Sequence, residues 1–324
     1  MNIYFNNGSW IMLLAANPIS DAANSITNSI SEYFDNLMQK VLKDMYDNMY
    51  VKCESSFNGI FDTLNDMMGK STNILKSSPE SYNSAAFGTV KNISDSAFLP
   101  IAAMFATVVF CWELVHLVQE SNNMQSITPQ KVFLPLMKLC LCLVVCSKAF
   151  DIIMAFFEVG GRVTTAITGS TPTFGAGVSF SGLAPATLST YSFGDVMDLV
   201  GYLLVINAVK ISILAIAVLI YCRCIMWFME IYVTASAAAI PYSTWMNKEW
   251  SQVGMNYTRK MLALAFQGPF MLLLFAIYGN IVSSAFVASG DFLNGMFMVL
   301  GSAIVLVMLL FKTGSISESI FAAH

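Results

Sequence analysis

Residues 199 to 243 form an almost unbroken apolar run, LVGYLLVINAVKISILAIAVLIYCRCIMWFMEIYVTASAAAIPYS, with Lys210, Arg223 and Glu230 inside it. As one straight helix it would extend roughly 68 Å, against a membrane hydrocarbon core of about 30 Å. Each of those charges facing lipid at mid-depth would cost about 2.5 to 3.5 kcal/mol on insertion scales. A segment this long and this charged has to pack against other protein.

The rest of the chain points the same way. It is 56% hydrophobic and only 11% charged, where a soluble domain carries about 25% charged residues, and the apolar residues are gathered into blocks. The fold class this predicts is all-α: a polytopic membrane helical bundle of five or six spans, preceded by an N-terminal amphipathic helical region. The net charge of −4 resides in residues 1 to 96, where six lysines face ten acidic residues; residues 97 to 324 balance ten against ten. No basic tract is present to grip nucleic acid electrostatically. Any DNA handled by such a chain passes through an assembled pore or is held by partners.

Cysteine and histidine usage narrows the chemistry. Of seven cysteines, Cys111, Cys140, Cys142, Cys146, Cys222 and Cys224 lie in apolar segments and only Cys53 lies outside them, which is no disulfide framework. Cys142 and Cys146 share a helix face, but no His, Asp or Glu at ligand spacing completes a zinc site. The two histidines, His116 and His324, offer little for His-based catalysis. Neither a metal nor a cofactor is expected. The first twenty residues lack a charged leader, and the short apolar stretch from Trp10 to Ala16 is stopped by Pro18, so a cleaved signal peptide is not expected.

Two domains are predicted, residues 1–96 and 97–324. In the first, Ile30, Phe34, Leu37, Met38, Val41, Leu42, Met45 and Met49 recur at helical spacing opposite Glu32, Asp35, Lys40, Lys43, Asp44 and Asp47, which is an amphipathic helix over 29–50. A second, shorter one is expected around Phe57, Ile60, Phe61, Leu64 and Met68. Such helices lie on a membrane surface or pair with partner helices; the acidic polar faces favour a partner. The Ser- and Asn-rich stretch 71–96 then reads as a linker. The membrane domain carries spans at about 97–118, 132–157, 196–220, 225–243, 261–287 and 292–311. Residues 158 to 195, which hold seven of the nineteen glycines together with Pro172 and Pro185, read as a nearly uncharged irregular loop. It is either a tether or a segment that packs into or over a pore. A polar hinge is expected over 247–257 and a short turn at Ser289-Gly290-Asp291.

Orientation depends on how the opening run crosses. If it turns near Tyr221 to Cys224 and crosses twice, six spans put both ends in the cytoplasm, with Lys131 and Arg223 outside. If it crosses once, five spans put the N-terminal region outside, with Lys131, Lys248, Arg259, Lys260 and Lys312 inside and Lys91 and Arg162 outside. The positive-inside rule accepts both. Either way the protein sits in the plasma membrane with its C-terminus in the cytoplasm.

The sequence carries no complete catalytic motif. Met68-Gly69-Lys70-Ser71-Thr72 resembles the end of a phosphate-binding loop, but Leu64 stands where the pattern needs its first glycine. Ser192-Phe193-Gly194-Asp195 likewise misses the first glycine of an intramembrane aspartyl protease motif. The chain is not expected to be an enzyme. What remains is a set of embedded polar groups, of which Glu113, Lys148, Asp151, Lys210, Arg223 and Glu230, with Pro241, are the candidates either to line a polar path or fix a subunit interface, or to pair internally and set the bundle's register, the reading favoured for Lys148 with Asp151; Lys138 belongs with them in composition. Lys148 and Asp151, three apart, can pair on one helix. Arg223 and Glu230, seven apart, point the same way about 10 Å from each other and need partners elsewhere. Thr234 to Ala239 is a small-residue surface fit for close helix packing, and Pro241 breaks the helix where protein or water takes the freed carbonyl. Trp227, Trp245 and Trp250 are expected at headgroup depth.

Glu230-Ile231-Tyr232-Val233 running into Ala238-Ala239-Ile240-Pro241, then Gly254 through Lys260, then Leu262-Ala263-Leu264-Ala265-Phe266-Gln267-Gly268, is similar to the TrbL-type conjugal transfer membrane proteins of Gram-positive mobile elements. Pro79-Glu80-Ser81-Tyr82-Asn83, Leu99-Pro100-Ile101-Ala102, Trp112-Glu113-Leu114 and Lys312-Thr313-Gly314-Ser315-Ile316 fit in the same order, so the resemblance covers about residues 55 to 324. Ala237-Ala238-Ala239 replaces the Leu-Ala-Pro usual there, which affects local helix geometry. The resemblance implies a polytopic channel or scaffold subunit of a type IV secretion machine that helps pass DNA and relaxase. It implies a homo-oligomer in membrane lipid, with separate ATPases and a coupling protein as partners and DNA present only in transit. It also favours five crossings. The residues by themselves leave open a secondary transporter for a small solute, weakened by the absence of an internal repeat, and a membrane-anchored interaction protein acting through residues 29–70.

Overall fold

The computed structural model describes residues 7–120, 129–168, 179–180, 187–288 and 292–323. Among the described residues all regular structure is helical. Four stretches are long and apolar enough to cross a membrane, Ser84–Gln119, Phe193–Ser243, Ser251–Val282 and Phe292–Ile320, and a bent pair, Val132–Ser147 with Ala149–Ile167, makes a fifth if it crosses as one. The chain is an all-α polytopic membrane protein. Its described residues fall into two compact units, one drawn from 1–58 and 179–208 and the other from 59–178 and 209–324. Helices α1 (Asn7–Lys76) and α7 (Phe193–Ser236) each contribute to both.

In the first unit, α1 presents Tyr46, Tyr50, Cys53 and Phe57 as its buried face, an i, i+4, i+7, i+11 stripe of the kind that seats a helix on a neighbour. Tyr46 meets Tyr191 edge-on at 5.3 Å, and Phe180 lies 5.2 Å from Tyr50 and 5.9 Å from Phe57. Gln39 holds the chain entering α7 through two bonds, its amide nitrogen donating to the Tyr191 carbonyl at 3.0 Å and its oxygen accepting from the Tyr191 N–H at 2.9 Å. The start of α7 is a reciprocal cap: the Ser192 N–H donates to the Asp195 carboxylate at 2.8 Å, and the Asp195 N–H to the Ser192 hydroxyl at 3.3 Å. The Ser-Phe-Gly-Asp sequence that loosely resembles a protease motif therefore works as a helix start. The Cys53 thiol donates to the Leu199 carbonyl at 3.3 Å, and burial pushes it up to about 11.

In the second unit α1 continues without a break, burying Ile60, Leu64, Met68 and Leu75. The two expected amphipathic helices are thus one. The stretch expected as a linker over 71–96 is largely helical too: α1 runs to Lys76, followed by α2 (Pro79–Tyr82), α3 (Ser84–Ile93) and a π-helical turn, Ser94–Phe98, that leads into α4 (Leu99–Glu120). Its Ser and Asn residues act as caps, Ser78 accepting from the Ser81 N–H at 3.2 Å and Asn83 from the Ala86 N–H at 2.9 Å. A polar composition here marks helix starts. Tyr82 stacks on Phe228 at 4.3 Å, and the Tyr232 hydroxyl donates to the Pro79 carbonyl at 2.6 Å.

The spans also depart from the expected boundaries. The second one, expected over 132–157, is two helices, α5 (Pro129–Ser147) and α6 (Ala149–Thr168), bent by 58° at Lys148. The bend keeps its hydrogen bonds, since the Lys148 N–H reaches both the Val144 and Val145 carbonyls, at 3.2 and 3.1 Å. Because α6 continues to Thr168, the first third of the expected 158–195 loop is helix. Residues 169–178 and 181–186, with Pro172 and Pro185, lie outside the described residues, as does the expected turn at Ser289-Gly290-Asp291. The opening run does not turn near Tyr221 to Cys224: α7 is continuous through it, with Arg223 and Cys224 both buried. The spans expected at 196–220 and 225–243 are one helix, which breaks after Ser236 and resumes as the short α8 (Ala239–Ser243) before α9 (Ser251–Ala288) and α10 (Phe292–Ile320). Trp227 does not sit in a surface belt; it is buried, donating to the Leu264 carbonyl at 2.9 Å.

Helices α6 and α9 approach where Gly160 faces Ala265; a Cβ on Gly160 would stand 2.5 Å from the Ala265 carbonyl oxygen. Backbone, unlike a long side chain, cannot step aside. Gly160→Ala is expected to destabilise the fold by about 1 to 3 kcal/mol, the range for over-packing, read as a lowered melting temperature in detergent. At Gly161, where nothing lies within 4 Å of an added Cβ, the same substitution should leave that temperature unchanged or slightly raised. A second expectation concerns Cys53. With its thiol at about 11 against an ordinary 9.0, the reactive thiolate forms only as pH rises toward 11, so alkylation at pH 8 should run about 100-fold slower than for an exposed thiol. Mass spectrometry of maleimide-treated membranes checks it.

Candidate functional site

The broken end of α7 gathers the polar groups of the second unit. Helices α4 and α5 pack on each other and on α8. Ala235, Ala238 and Ala239 are buried at the break, as the small-residue surface predicts. The carbonyls a break leaves over need donors, and α5 supplies thiols: Cys146 reaches the Ala239 carbonyl and Cys142 the Tyr242 and Ser243 carbonyls, each at 3.5 Å. Thr244 donates to the Pro241 carbonyl at 2.7 Å. The two cysteines that share a face of α5 therefore do more than fill space, because their sulfur atoms complete the backbone accounting of α8.

Just beyond α8 the chain crosses to α9 through Asn247, Lys248 and Glu249. Glu113, two turns from the end of α4, accepts from Lys138 of α5 at 3.1 Å and from the Asn247 amide at 3.0 Å. The Asn247 side-chain oxygen in turn accepts the Glu249 and Trp250 N–H groups at 2.7 and 3.3 Å, forming the turn that leads into α9. His116, one turn along α4 from Glu113, lies 3.3 Å from Glu249, and the Trp112 indole lies 3.4 Å from it. Glu113, His116, Lys138, Asn247 and Glu249 line an open cavity of about 320 Å³ with Leu117 and Lys248. An apolar cavity of about 190 Å³ between Val108, Val109, Trp112 and Trp250 adjoins it at Asn247. The arrangement can bind ions, water or polar groups of a partner. Among the described residues no three His, Cys, Asp or Glu side chains gather as a metal site.

Of the sequence candidates, Glu113 and Pro241 meet in this region. Arg223 does not join them. It is buried in the α7–α9–α10 core, where its guanidinium donates to the Gln267 side-chain oxygen and lies 6.0 Å from the Phe311 ring. The same oxygen takes the Gly314 N–H at 3.2 Å. Glu230, two turns along, is exposed; its charge still acts on Arg223, but the two make no ion pair. Lys148 and Asp151 pair at 3.7 Å, as their spacing predicts, and Asp151 also takes Lys91 of α3 at 3.1 Å. Lys210 lays its Nζ against Gly59 of α1, 2.7 Å from where a Cβ would be. Missed from sequence were Asn247, His116 and Glu249 as a group and Lys138 as the partner of Glu113; no periodicity joins residues that are 134 apart in the chain.

These helices and polar clusters define a polytopic membrane subunit. A family model described as TrbL/VirB6 plasmid conjugal transfer like protein matches residues 64–239, more than half of the chain, and the protein belongs to that family. It is a membrane component of conjugal transfer machinery of the type IV secretion kind, a structural rather than an enzymatic family. No curated protein and no solved structure matches the chain. The matched segment holds every sequence candidate except Pro241 and stops short of Asn247.

Lys138→Met leaves the Glu113 carboxylate with Asn247 alone in a largely buried place. We expect a loss of about 1 to 3 kcal/mol, the range for stranding a buried hydrogen-bonding group, read as thermal stability in detergent. Exchanging the two residues, Glu113→Lys with Lys138→Glu, should recover most of it. Equal instability of the exchanged and single variants would show that the pair does not act as a pair.

Proposed function

We propose that this chain is a channel or scaffold subunit of a conjugative type IV secretion machine, oligomeric in the plasma membrane, and that it helps pass DNA and relaxase outward. The family match carries the reading. ATPases and a coupling protein supply energy and cargo, which suits a chain without a phosphate-binding loop.

The site bears on topology. Glu113 and Lys138, near the α4–α5 end, touch Asn247, so that end and the Lys248 segment share one side of the bundle. The six-span reading placed Lys131 and Lys248 on opposite sides; the five-span reading places them together. With α7 unbroken, we favour five crossings, the N-terminal region outside and the C-terminus in the cytoplasm, which keeps Lys131, Lys248, Arg259, Lys260 and Lys312 inside as the positive-inside rule asks. The candidates Glu113, Lys148, Asp151, Lys210, Arg223, Glu230 and Pro241 then divide by role: Glu230 serves a subunit contact and the others fix helix register.

In-frame deletion should abolish DNA transfer with growth unaffected, and the full-length gene in trans should restore it. Formaldehyde should crosslink transferring DNA to this chain only while the coupling protein is active. Mating at wild-type frequency without the gene would overturn the reading; loss of transfer without any DNA crosslink would reduce the chain to a scaffold.

A further inference from the structure

Helices α7 and α9 run antiparallel in a fixed register. The Trp227 indole donates to the Leu264 carbonyl at 2.9 Å, the Tyr257 hydroxyl donates to the Thr234 carbonyl at 2.8 Å, and Arg223 reaches Gln267. The three contacts agree in offset to within one residue. Stepping between them along α7 places Glu230 level with Met261, one residue from Lys260 and two from Arg259. Met261 is fully buried, and Arg259 and Lys260 turn to the outer surface. Glu230 is exposed as well, among Met226, Met229 and Val233, which are exposed to 53, 58 and 70%.

One carboxylate and two cations thus sit at one depth on the outside of the bundle. Among the described residues none of the three has an opposite charge within ion-pair distance. Apart from the field of Arg223 two turns back along α7, Glu230 stands among exposed apolar side chains at the level of Arg259 and Lys260, and a matching charge from outside the chain complements it. Copies of one chain inserted in one membrane share orientation and depth and differ by rotation about the membrane normal. Residues level within one copy are therefore level between copies.

Resting on the reading of the chain as an oligomeric subunit, we infer that neighbouring copies meet head to tail, with Glu230 of one copy paired to Arg259 and Lys260 of the next. A head-to-tail contact closes into a ring if the rotation allows, and its two faces differ, so the opposite charges stand on different surfaces of each copy. A patch that pairs with itself would bring Glu230 against Glu230.

The test uses the full-length chain in native membranes, with the exposed Cys111, Cys140 and Cys222 changed to serine. A short bis-maleimide applied to Glu230→Cys with Lys260→Cys in one chain should give a ladder of multimers. Each single variant alone should stay monomeric, and the two single variants expressed together should give dimers and nothing larger. Dimers from Glu230→Cys alone, or no ladder, would overturn the inference. Independently, Glu230→Lys should lower transfer about 100-fold, since like charges across an interface are strongly disfavoured, and adding Arg259→Glu and Lys260→Glu should bring it back. Failure of that rescue, with the two cations instead needed for retention of anionic lipid, would assign them to headgroups and overturn the pairing. If deletion abolishes transfer while no ladder forms, the interface alone fails; if deletion leaves transfer intact, the channel reading fails whatever the ladder shows.

Discussion

The hydrogen bond from the Arg223 guanidinium to the Gln267 side chain holds the second unit in register. It joins α7 to α9 at the point where α10 brings Phe311 and Gly314 against the same groups. An arginine cannot shed its proton in place of its solvation, so a buried one must be met by acceptors or ring faces, and those must stay where they are. Trp227 on Leu264 and Tyr257 on Thr234 repeat that offset to within one residue, one and three turns further on. The Ser317 hydroxyl, bonded to the Ala263 carbonyl, ties α10 to the same stretch of α9. Because that offset is fixed, the depth of every residue on α7 relative to α9 is fixed with it, and so is the level of Glu230.

The break between α7 and α8 shows the same economy in the backbone. Inside a bundle, a helix can stop only where its spare carbonyls find donors. The Cys142 and Cys146 thiols and the Thr244 hydroxyl meet that need within a few residues, and the Asn247 side-chain oxygen takes N–H groups just ahead of α9. Once the break is satisfied, the chain can turn back into α9 at the level where Glu113 and Lys138 wait. The polar cavity is thus a consequence of where the helix could end.

Much of this was legible in the sequence. The apolar blocks and the low charge content gave a helical membrane protein, and the small residues before Pro241 marked the interrupted end of the long run. The pairing of Lys148 with Asp151 followed from helical spacing. Other features were misread for definite reasons. Ser78 and Asn83 suggested a linker because caps and loops share the same residues. Lys148 gave no sign of a bend because that bend keeps its hydrogen bonds. Trp227 looked interfacial because its indole N–H suggested water, whereas the Leu264 carbonyl takes it.

By itself the sequence determined what each segment is made to do: apolar faces at helical period must be buried or meet lipid, and charges within them must find partners. Which partners they found was decided only by the tertiary structure. Glu113 and Asn247, or Arg223 and Gln267, are joined by the packing of separate helices, and no local rule of spacing relates residues that meet only when the bundle closes. The same packing decided that Arg223 turns inward while Glu230, on the same helix, is left at the surface.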